Sequence, residues 1–315
     1  MNTALQENDS SLDNCLDCEL QDCPVGFSQS SQVIFTLICL ISGTFAIGGN
    51  FAILVALYRT SVLSTRVNSY YIASLAFADF MIGLTMTPLY ICYALAYDTS
   101  WLIKIEGYLW IVTVTATTYS LSAVSLDRFV AVVYPLHYHQ VMTDRRCRAV
   151  LFLVWFASVI FGSPRLVLDD FVKLEKLWIT CSVATVAIPV AIMSCCYGKI
   201  FSVVRKQSRA VTDPHLPSTS VGNRKAAVTI GIIVSLFIAT FLPSAIVYFM
   251  LLFEDDLCKE LILNDVWLWA ALVSFTHSAF NPWVYGLRYR ELRHALKQIF
   301  FQGDAQCSFS LQMQL

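Results

Sequence analysis

Charge is scarce in this chain. Only 14% of its 315 residues are charged, against 57% hydrophobic. A soluble domain carries about a quarter charged residues, so an ordinary soluble globular protein is excluded. A net charge of −1 also removes any bulk electrostatic case for nucleic acid. Residues 1–32 contain no Lys or Arg, and no basic-then-apolar start is present, so no cleaved signal peptide is expected and the first apolar run serves for targeting. No internal repeat is apparent. The 11 cysteines fall mostly inside apolar runs and lack paired zinc spacing with histidine. Cys15-x-x-Cys18 has no βαβ pattern around it, which favours a disulfide or thiol role over metal. His137, His139 and Cys147 form no nucleophile–base–orienter pattern, so no enzyme is expected.

What is abundant is long apolar sequence. An apolar run of about 20 residues crosses a bilayer as a helix, because its backbone satisfies its own hydrogen bonds there. Seven such runs lie at 33–58, 70–96, 102–133, 149–168, 177–203, 226–253 and 266–287. An eighth segment, 289–301, gathers Leu292, Ala295, Leu296, Ile299 and Phe300 on one helical face and Arg290, Glu291, Arg293 and Lys297 elsewhere, the pattern of a helix lying on a membrane surface. The fold class expected is an all-α membrane protein, a seven-transmembrane helix bundle with a short amphipathic C-terminal helix. Its parts are an N-terminal segment (1–32), the membrane domain (33–287), and a helix with a short tail (288–315).

Basic residues set the orientation. Arg59 and Arg66 follow span one; Arg145, Arg146 and Arg148 follow span three; Arg205, Lys206, Arg209, Arg224 and Lys225 follow span five; Arg288, Arg290, Arg293 and Lys297 follow span seven. The N-terminus carries Glu7, Asp9, Asp13, Asp17, Glu19 and Asp22, and the loop after span six is mostly acidic. The expectation is a multi-pass plasma-membrane protein with its N-terminus outside and its C-terminus in the cytoplasm. Asn8-Asp9-Ser10 is a glycosylation sequon on the outer side.

Inside these apolar runs sit residues that lipid penalises. Asp127 and Arg128 stand side by side near the end of span three; each would cost roughly 2.5–3.5 kcal/mol at a helix centre on insertion scales. Adjacency and proximity to the interface reduce that cost. By itself the pair reads as a stop-transfer flank or as a candidate site for a protein partner. Asp79 lies about 15 Å into span two at the helical rise and needs partners, for which Asn50, Thr117, Ser278 and Asn281 are available. Pro189, Pro243 and Pro282 remove helical hydrogen bonds and create kinks.

Together Asn50; Leu75, Ala76 and Asp79; Asp127-Arg128-Phe129; Trp155; Pro189 with Tyr197; Phe237 with Pro243; and Asn281-Pro282-x-x-Tyr285 resemble the rhodopsin-like (class A) G-protein-coupled receptor family, over about residues 32–301. A retinal pump would need a Schiff-base lysine in 266–287, and there is none. Matched broken helices of an inverted-repeat transporter are not seen. A lipid scramblase or non-signalling scaffold is the further alternative, and the intact Asp127–Arg128, Tyr197 and Tyr285 argue against it. The resemblance implies a heterotrimeric G protein, an extracellular small-molecule ligand, arrestin, receptor kinases and membrane lipids as partners. It implies a switch of Asp127, Arg128, Tyr197, Phe241, Pro243, Asn281, Pro282 and Tyr285. It also implies no cofactor beyond a modulatory sodium ion held by Asp79, Thr117, Ser278 and Asn281, oxygen ligands suited to a hard cation. Cys307, after the surface helix, is a palmitoylation candidate, and Ser308 and Ser310 are phosphorylation candidates.

The departures from the family pattern individualise the chain. No cysteine lies in Trp101–Trp110 or in the following outer loop, taken as 167–176, so the family's usual bridge is expected to be absent; Cys15, Cys18, Cys23, Cys181 and Cys258 are left with open connectivity. Asn223 stands where an acid often holds the span-three arginine, so basal signalling is expected. Phe241 replaces a tryptophan and His277 an asparagine. A lone buried histidine is more often packed than a sensor, yet His277 is also placed to weaken sodium binding. The ligand pocket implied by the resemblance comprises Trp110, Ile111, Val114, Cys181, Ser182, Thr185, Ser244, Tyr248, Trp267 and Ser274, with Phe241, Ala245, Ala271 and Phe275 nearby. Trp110 replaces the aspartate that anchors amines, leaving cation–π contact worth about 0.5–2 kcal/mol. Locally, 224–233 and 278–282 resemble trace-amine-associated and other amine-type receptors. Three readings stay open: an amine-related receptor without its anchor, a receptor for a lipid or apolar ligand, and a largely ligand-independent one.

Overall fold

The computed structural model describes residues 27–59, 67–95, 100–210, 218–254, 256–288 and 290–301, with side chains described throughout except at 67–68, 100, 171, 207–210, 218–225, 290–291 and 298–301. The helices are α1 (Gln29–Arg59), α2 (Val67–Ala94), α3 (Ser100–Val133), the short α4 (Tyr138–Val141), α5 (Asp144–Gly162), α6 (Phe171–Ser182), α7 (Ile188–Ala210), α8 (Ser218–Leu251), α9 (Leu257–Arg288) and α10 (Arg290–Phe301). A 3-10 turn, Pro135–His137, precedes α4 and another, Ser163–Leu166, follows α5. α6 and α7 form one span through a π turn at Val183–Ala187. The seven expected spans are thus α1, α2, α3, α5, α6–α7, α8 and α9.

The bundle is polar within and apolar without, as a lipid-facing protein must be. Leu37, Ile41, Phe51, Phe152, Phe156 and Trp283 are exposed on its circumference, whereas Asn50, Asp79, Thr117, Ser120, Asp127 and Asn281 are buried. α3 is the most buried of the long apolar helices and packs against α2, α5, α7 and α8. Several of its buried hydroxyls bond back to their own helix: Thr115 Oγ1 donates to the Ile111 carbonyl at 2.6 Å, Thr118 to Val114 at 2.9 Å and Ser125 to Leu121 at 2.7 Å. These three hydroxyls are thereby buried without being orphaned. Trp155 Nε1 donates to Ser74 Oγ at 3.1 Å, and Ser74 pairs with Ser120 at 3.0 Å, joining α5, α2 and α3. α1 closes the ring against α9: Gly49 faces Pro282, where an added Cβ would stand 2.7 Å from the proline Cγ.

Several boundaries differ from those expected. Span four stops at Gly162, because Pro164 cannot continue the hydrogen-bonded ladder. The loop expected at 167–176 contracts to 167–170, because Asp170 caps α6: its Oδ1 accepts from the Lys173 N–H at 3.0 Å. Among the described residues six helices are long and apolar enough to cross a membrane by composition alone; α9 falls short because it adds Lys259, Glu260 and Asp265 at one end and keeps His277 and Asn281 inside. Pro88 is a further intrahelical proline, in α2. The amphipathic segment is helical, and it docks Leu292 and Ala295 into the core against α1 and α9.

Candidate functional site

The Asp127–Arg128 pair ends the buried stretch of α3. Asp127 is fully buried and Arg128 is 5% exposed. Arg128 Nε donates to Asp127 Oδ2 at 2.8 Å, and Nη2 contacts the same oxygen. The second carboxylate oxygen, Oδ1, accepts from the Tyr138 hydroxyl at 2.9 Å. Tyr138 lies outside the set of expected site residues. Its signal is Pro135, which starts a 3-10 turn directly after α3 and folds the next residues back over the helix end. The restraint on Arg128 is therefore firmer than Asp127 alone would make it. The expected contribution of Asn223 falls on a side chain outside those described.

Mid-bundle, Asp79 bonds two of its four expected partners directly. Ser278 Oγ donates to Oδ1 at 2.8 Å and Asn281 Nδ2 to Oδ2 at 2.7 Å. Asn50 Nδ2 donates to the Ser278 carbonyl at 2.9 Å. Thr117 is buried but does not hydrogen-bond Asp79; Thr117 Oγ1, Asn281 Oδ1 and Asn50 Oδ1 are buried oxygens with no hydrogen-bond partner. That oxygen set fits a hard cation such as sodium. His277 works against it: Nε2 lies 3.7 Å from Asp79 Oδ1 and 3.3 Å from Ser278 Oγ, while Nδ1 sits on the Ser274 carbonyl. Because a carbonyl only accepts, Nδ1 carries a proton, and Nε2 is the nitrogen turned to the carboxylate. A proton there would make His277 itself the cation beside Asp79.

At the opposite end from Arg128, Trp110 is the hub of an aromatic box. Its ring centroid lies 4.9 Å from Phe275, 5.1 Å from Trp267 and 6.4 Å from Phe241. Ile111, Val114, Cys181, Ala271 and Phe275 are buried in the same cluster. Thr185 is buried in the π turn. Ser244 and Ser274 are buried, and their hydroxyls donate to carbonyls three residues back, Phe241 and Ala271, at 2.8 and 2.7 Å, so their lone pairs rather than their protons remain on offer. Tyr248 and Ser182 are half-buried, and Ala245 faces outward. Cys181 is a free thiol, 3.9 Å from the Phe161 carbonyl, which removes it as a disulfide partner. Cys258 is disulfide-bonded. Cys15, Cys18, Cys23, Cys307 and Asn8 also lie outside that set.

The box and the Asp79 cluster are connected. Phe241 stacks on Phe237 at 5.4 Å, and Phe237 meets His277 edge-on at 5.2 Å. The ladder Trp110–Phe241–Phe237–His277–Asp79 runs through α8 just before Pro243. Below it Tyr285 is fully buried, and Tyr197 packs on Gly231. A cavity of about 500 Å³ lies beside Tyr197 between α7 and α8, lined by Met193, Ile200, Phe201, Ala227 and Ile238, away from the aromatic box.

Glu106 is a further charged residue of this end, and sequence reasoning misses it. It is 8% exposed and accepts from the Tyr90 hydroxyl at 3.4 Å. It lies four residues before Trp110, hence on the same α3 face; that spacing is the available signal. The neighbouring face carries Arg165, also buried, whose Nη2 donates to the Ile103 carbonyl at 3.3 Å. Arg165 lies flat against Gly107, where a Cβ would stand 2.7 Å from Nε. With the Lys104–Asp169 ion pair at 2.6 Å, it ties the turn after α5 to the end of α3, the place where the family's usual bridge is missing.

A helical membrane bundle with a buried ion pair at one end, an aromatic box at the other and a buried polar cluster between them is the arrangement of a seven-helix receptor. The model of the 7 transmembrane receptor (rhodopsin family) matches residues 49–285, and the chain belongs to that family of G-protein-coupled receptors, which are not enzymes. It is similar to the adenosine receptor A2a of Homo sapiens (27% identical over 302 residues, covering 84% of this chain and 72% of the relative). It is also similar to the histamine H2 receptor of Cavia porcellus (28% over 293 residues, 85% and 80%) and to trace amine-associated receptor 1 of Homo sapiens (26% over 322 residues, 89% and 92%). The chain is a multi-pass membrane protein of the plasma-membrane receptor class, with G-protein and small-ligand partners in general.

Proposed function

We propose that this receptor carries the occupancy of the aromatic box at Trp110 to a heterotrimeric G protein docking at Arg128, with the N-terminus outside and the Arg128 end in the cytoplasm. The observation that supports it best is the continuous path from Trp110 through Phe241, Phe237 and His277 to Asp79. A ligand that favours one packing of this ladder shifts the population of the other end. Asp127 and Tyr138 hold Arg128 in the resting arrangement, and its release opens the docking site, with Tyr197 and Tyr285 moving toward it. Arrestin and receptor kinases would read the same end. A sodium ion at Asp79, Thr117, Ser278 and Asn281 would favour the resting state, with His277 competing for that place. Basal signalling remains expected.

The names of the relatives point to both nucleoside and amine ligands, so similarity leaves the ligand class open. The apolar cavity of about 500 Å³ between α7 and α8 favours a second reading, regulation by a lipid chain. The deciding experiment is a panel of G-protein activation assays without added ligand, comparing wild type with Arg128→Ala at equal surface expression. Signal above mock-transfected cells that Arg128→Ala abolishes supports the proposal. Signal that is absent across the panel, or indifferent to Arg128, counts against it and favours a non-signalling seven-helix protein.

A further inference from the structure

Resting on the receptor reading above, we infer that the box at Trp110 takes a protonated aromatic amine, with Glu106 as its counter-ion in place of an acid at position 110 and with Tyr90, Trp110, Trp267 and Phe275 as its walls.

Glu106 is under-used where it stands. A carboxylate offers about four acceptor positions, and burial without pairing is costly. Among the described residues Glu106 receives one hydrogen bond, from Tyr90 at 3.4 Å, and forms no salt bridge. Lys104 is engaged elsewhere, whereas Arg165 acts on Glu106 through space without reaching hydrogen-bond distance and keeps a buried Nε unpartnered. Lys104 is paired with Asp169 at 2.6 Å, and Arg165 reaches the Ile103 carbonyl around the Gly107 side of α3. The carboxylate therefore retains acceptor capacity in a largely buried site.

The surroundings specify what would use that capacity. Tyr90, the donor to Glu106, has its ring 5.6 Å from Phe275, which is 4.9 Å from Trp110, itself 5.1 Å from Trp267. Ring faces attract cations, and indole does so best. A carboxylate at the edge of a tryptophan-rich box thus combines a charge-assisted hydrogen bond with cation–π attraction, both for the same ammonium. An anionic ligand is repelled by Glu106, and a neutral hydroxyl donor fills an acceptor without the Coulombic and cation–π attraction that an ammonium adds. The aromatic walls favour an aryl group on the amine, and Ser244 and Ser274 supply hydroxyl lone pairs on α8 and α9.

The test uses the purified full-length receptor and reads ligand-induced shifts of its thermal unfolding midpoint with 2-phenylethylamine, phenyltrimethylammonium and the neutral 2-phenylethanol. Both cations should raise the midpoint, 2-phenylethylamine more than phenyltrimethylammonium, which has no N–H to donate to Glu106, and the uncharged alcohol should shift it far less than either. Glu106→Gln should weaken apparent cation affinity at least about thirtyfold, as expected for truncating one member of a buried charge pair. Glu106→Asp should retain part of it. Failure of both cations to shift wild type at millimolar concentration, equal shifts by amine and alcohol, or an unchanged amine shift in Glu106→Gln would each overturn the inference. If Glu106→Gln does not fold, the cation–alcohol contrast in wild type and the Glu106→Asp variant decide. Arg128-dependent basal signalling alongside failed cation binding would overturn the ligand class and leave the receptor reading standing.

Discussion

Removing a single oxygen at Tyr138 should raise basal signalling. The Tyr138 hydroxyl donates to Asp127 Oδ1 at 2.9 Å, and the Arg128 guanidinium occupies Oδ2. Asp127 is fully buried, so water does not readily replace a lost donor. A hydrogen bond to a charged group contributes about 1.5–3 kcal/mol. If the signalling state lacks this bond, Tyr138→Phe shifts the resting-to-signalling ratio by roughly ten- to a hundredfold, at about 1.4 kcal/mol per decade. A receptor signalling about 1% of the time would then signal from about a tenth to half of the time. The assay is ligand-independent G-protein activation, normalised to surface receptor. Asp127→Asn, which weakens both contacts, should raise the signal at least as far. Adding Tyr138→Phe to Asp127→Asn should change the signal less than it does in wild type, because Tyr138 acts only through that side chain. A Tyr138→Phe signal equal to or below wild type at matched surface level, or full additivity in the double variant, refutes the lock.

Three further outcomes are expected. Gly49→Val should lower surface expression and the detergent melting temperature, since its Cβ would stand 2.7 Å from Pro282 Cγ, and overpacking costs about 1–3 kcal/mol; Gly48→Val, with nothing within 4 Å of its Cβ, should be mild by comparison. Arg165→Ala should lower the melting temperature more than Lys104→Ala, because Arg165 is buried against Gly107 and the Ile103 carbonyl whereas Asp169 of the Lys104 pair is 72% exposed, and exposed pairs contribute only about 0–1 kcal/mol. His277→Asn should make basal signalling fall more steeply as sodium replaces a bulky organic cation in the medium, since it removes the nitrogen 3.7 Å from Asp79; an unchanged sodium response would show that His277 does not compete at that site.

The bundle is legible in the sequence because lipid makes few demands and enforces them strictly. Length and apolarity locate a spanning helix, and a buried Asp79 or Asp127 inside such a helix cannot be accidental. Boundaries are less legible. They depend on single capping events, such as the Asp170 carboxylate taking the Lys173 N–H, which extend a helix into sequence that reads as a loop. Spacing along the chain also places Asp79 on one helix and Ser278 with Asn281, one turn apart, on another; the contact between them is a fact of packing.

The same distinction explains why Tyr138 and Glu106 escape a reading of the sequence. Tyr138 lies outside every apolar run, so a search for polar residues in lipid never reaches it; only the fold-back at Pro135 places its hydroxyl on Asp127. Glu106 lies inside a run whose plainest feature is the cysteine it lacks. Its i, i+4 relation to Trp110 is written in the sequence, but a carboxylate near a helix end is usually solvated, and only the closure of Tyr90 and the neighbouring helices over it shows otherwise. If Glu106 holds a cation, an uncharged residue at position 110 does not by itself remove the cation site. A charge one helical turn away faces the same box, so what the substitution of Trp110 changes is the depth at which a cation would sit, and with it the length of ligand able to reach the Phe241–Phe237 ladder.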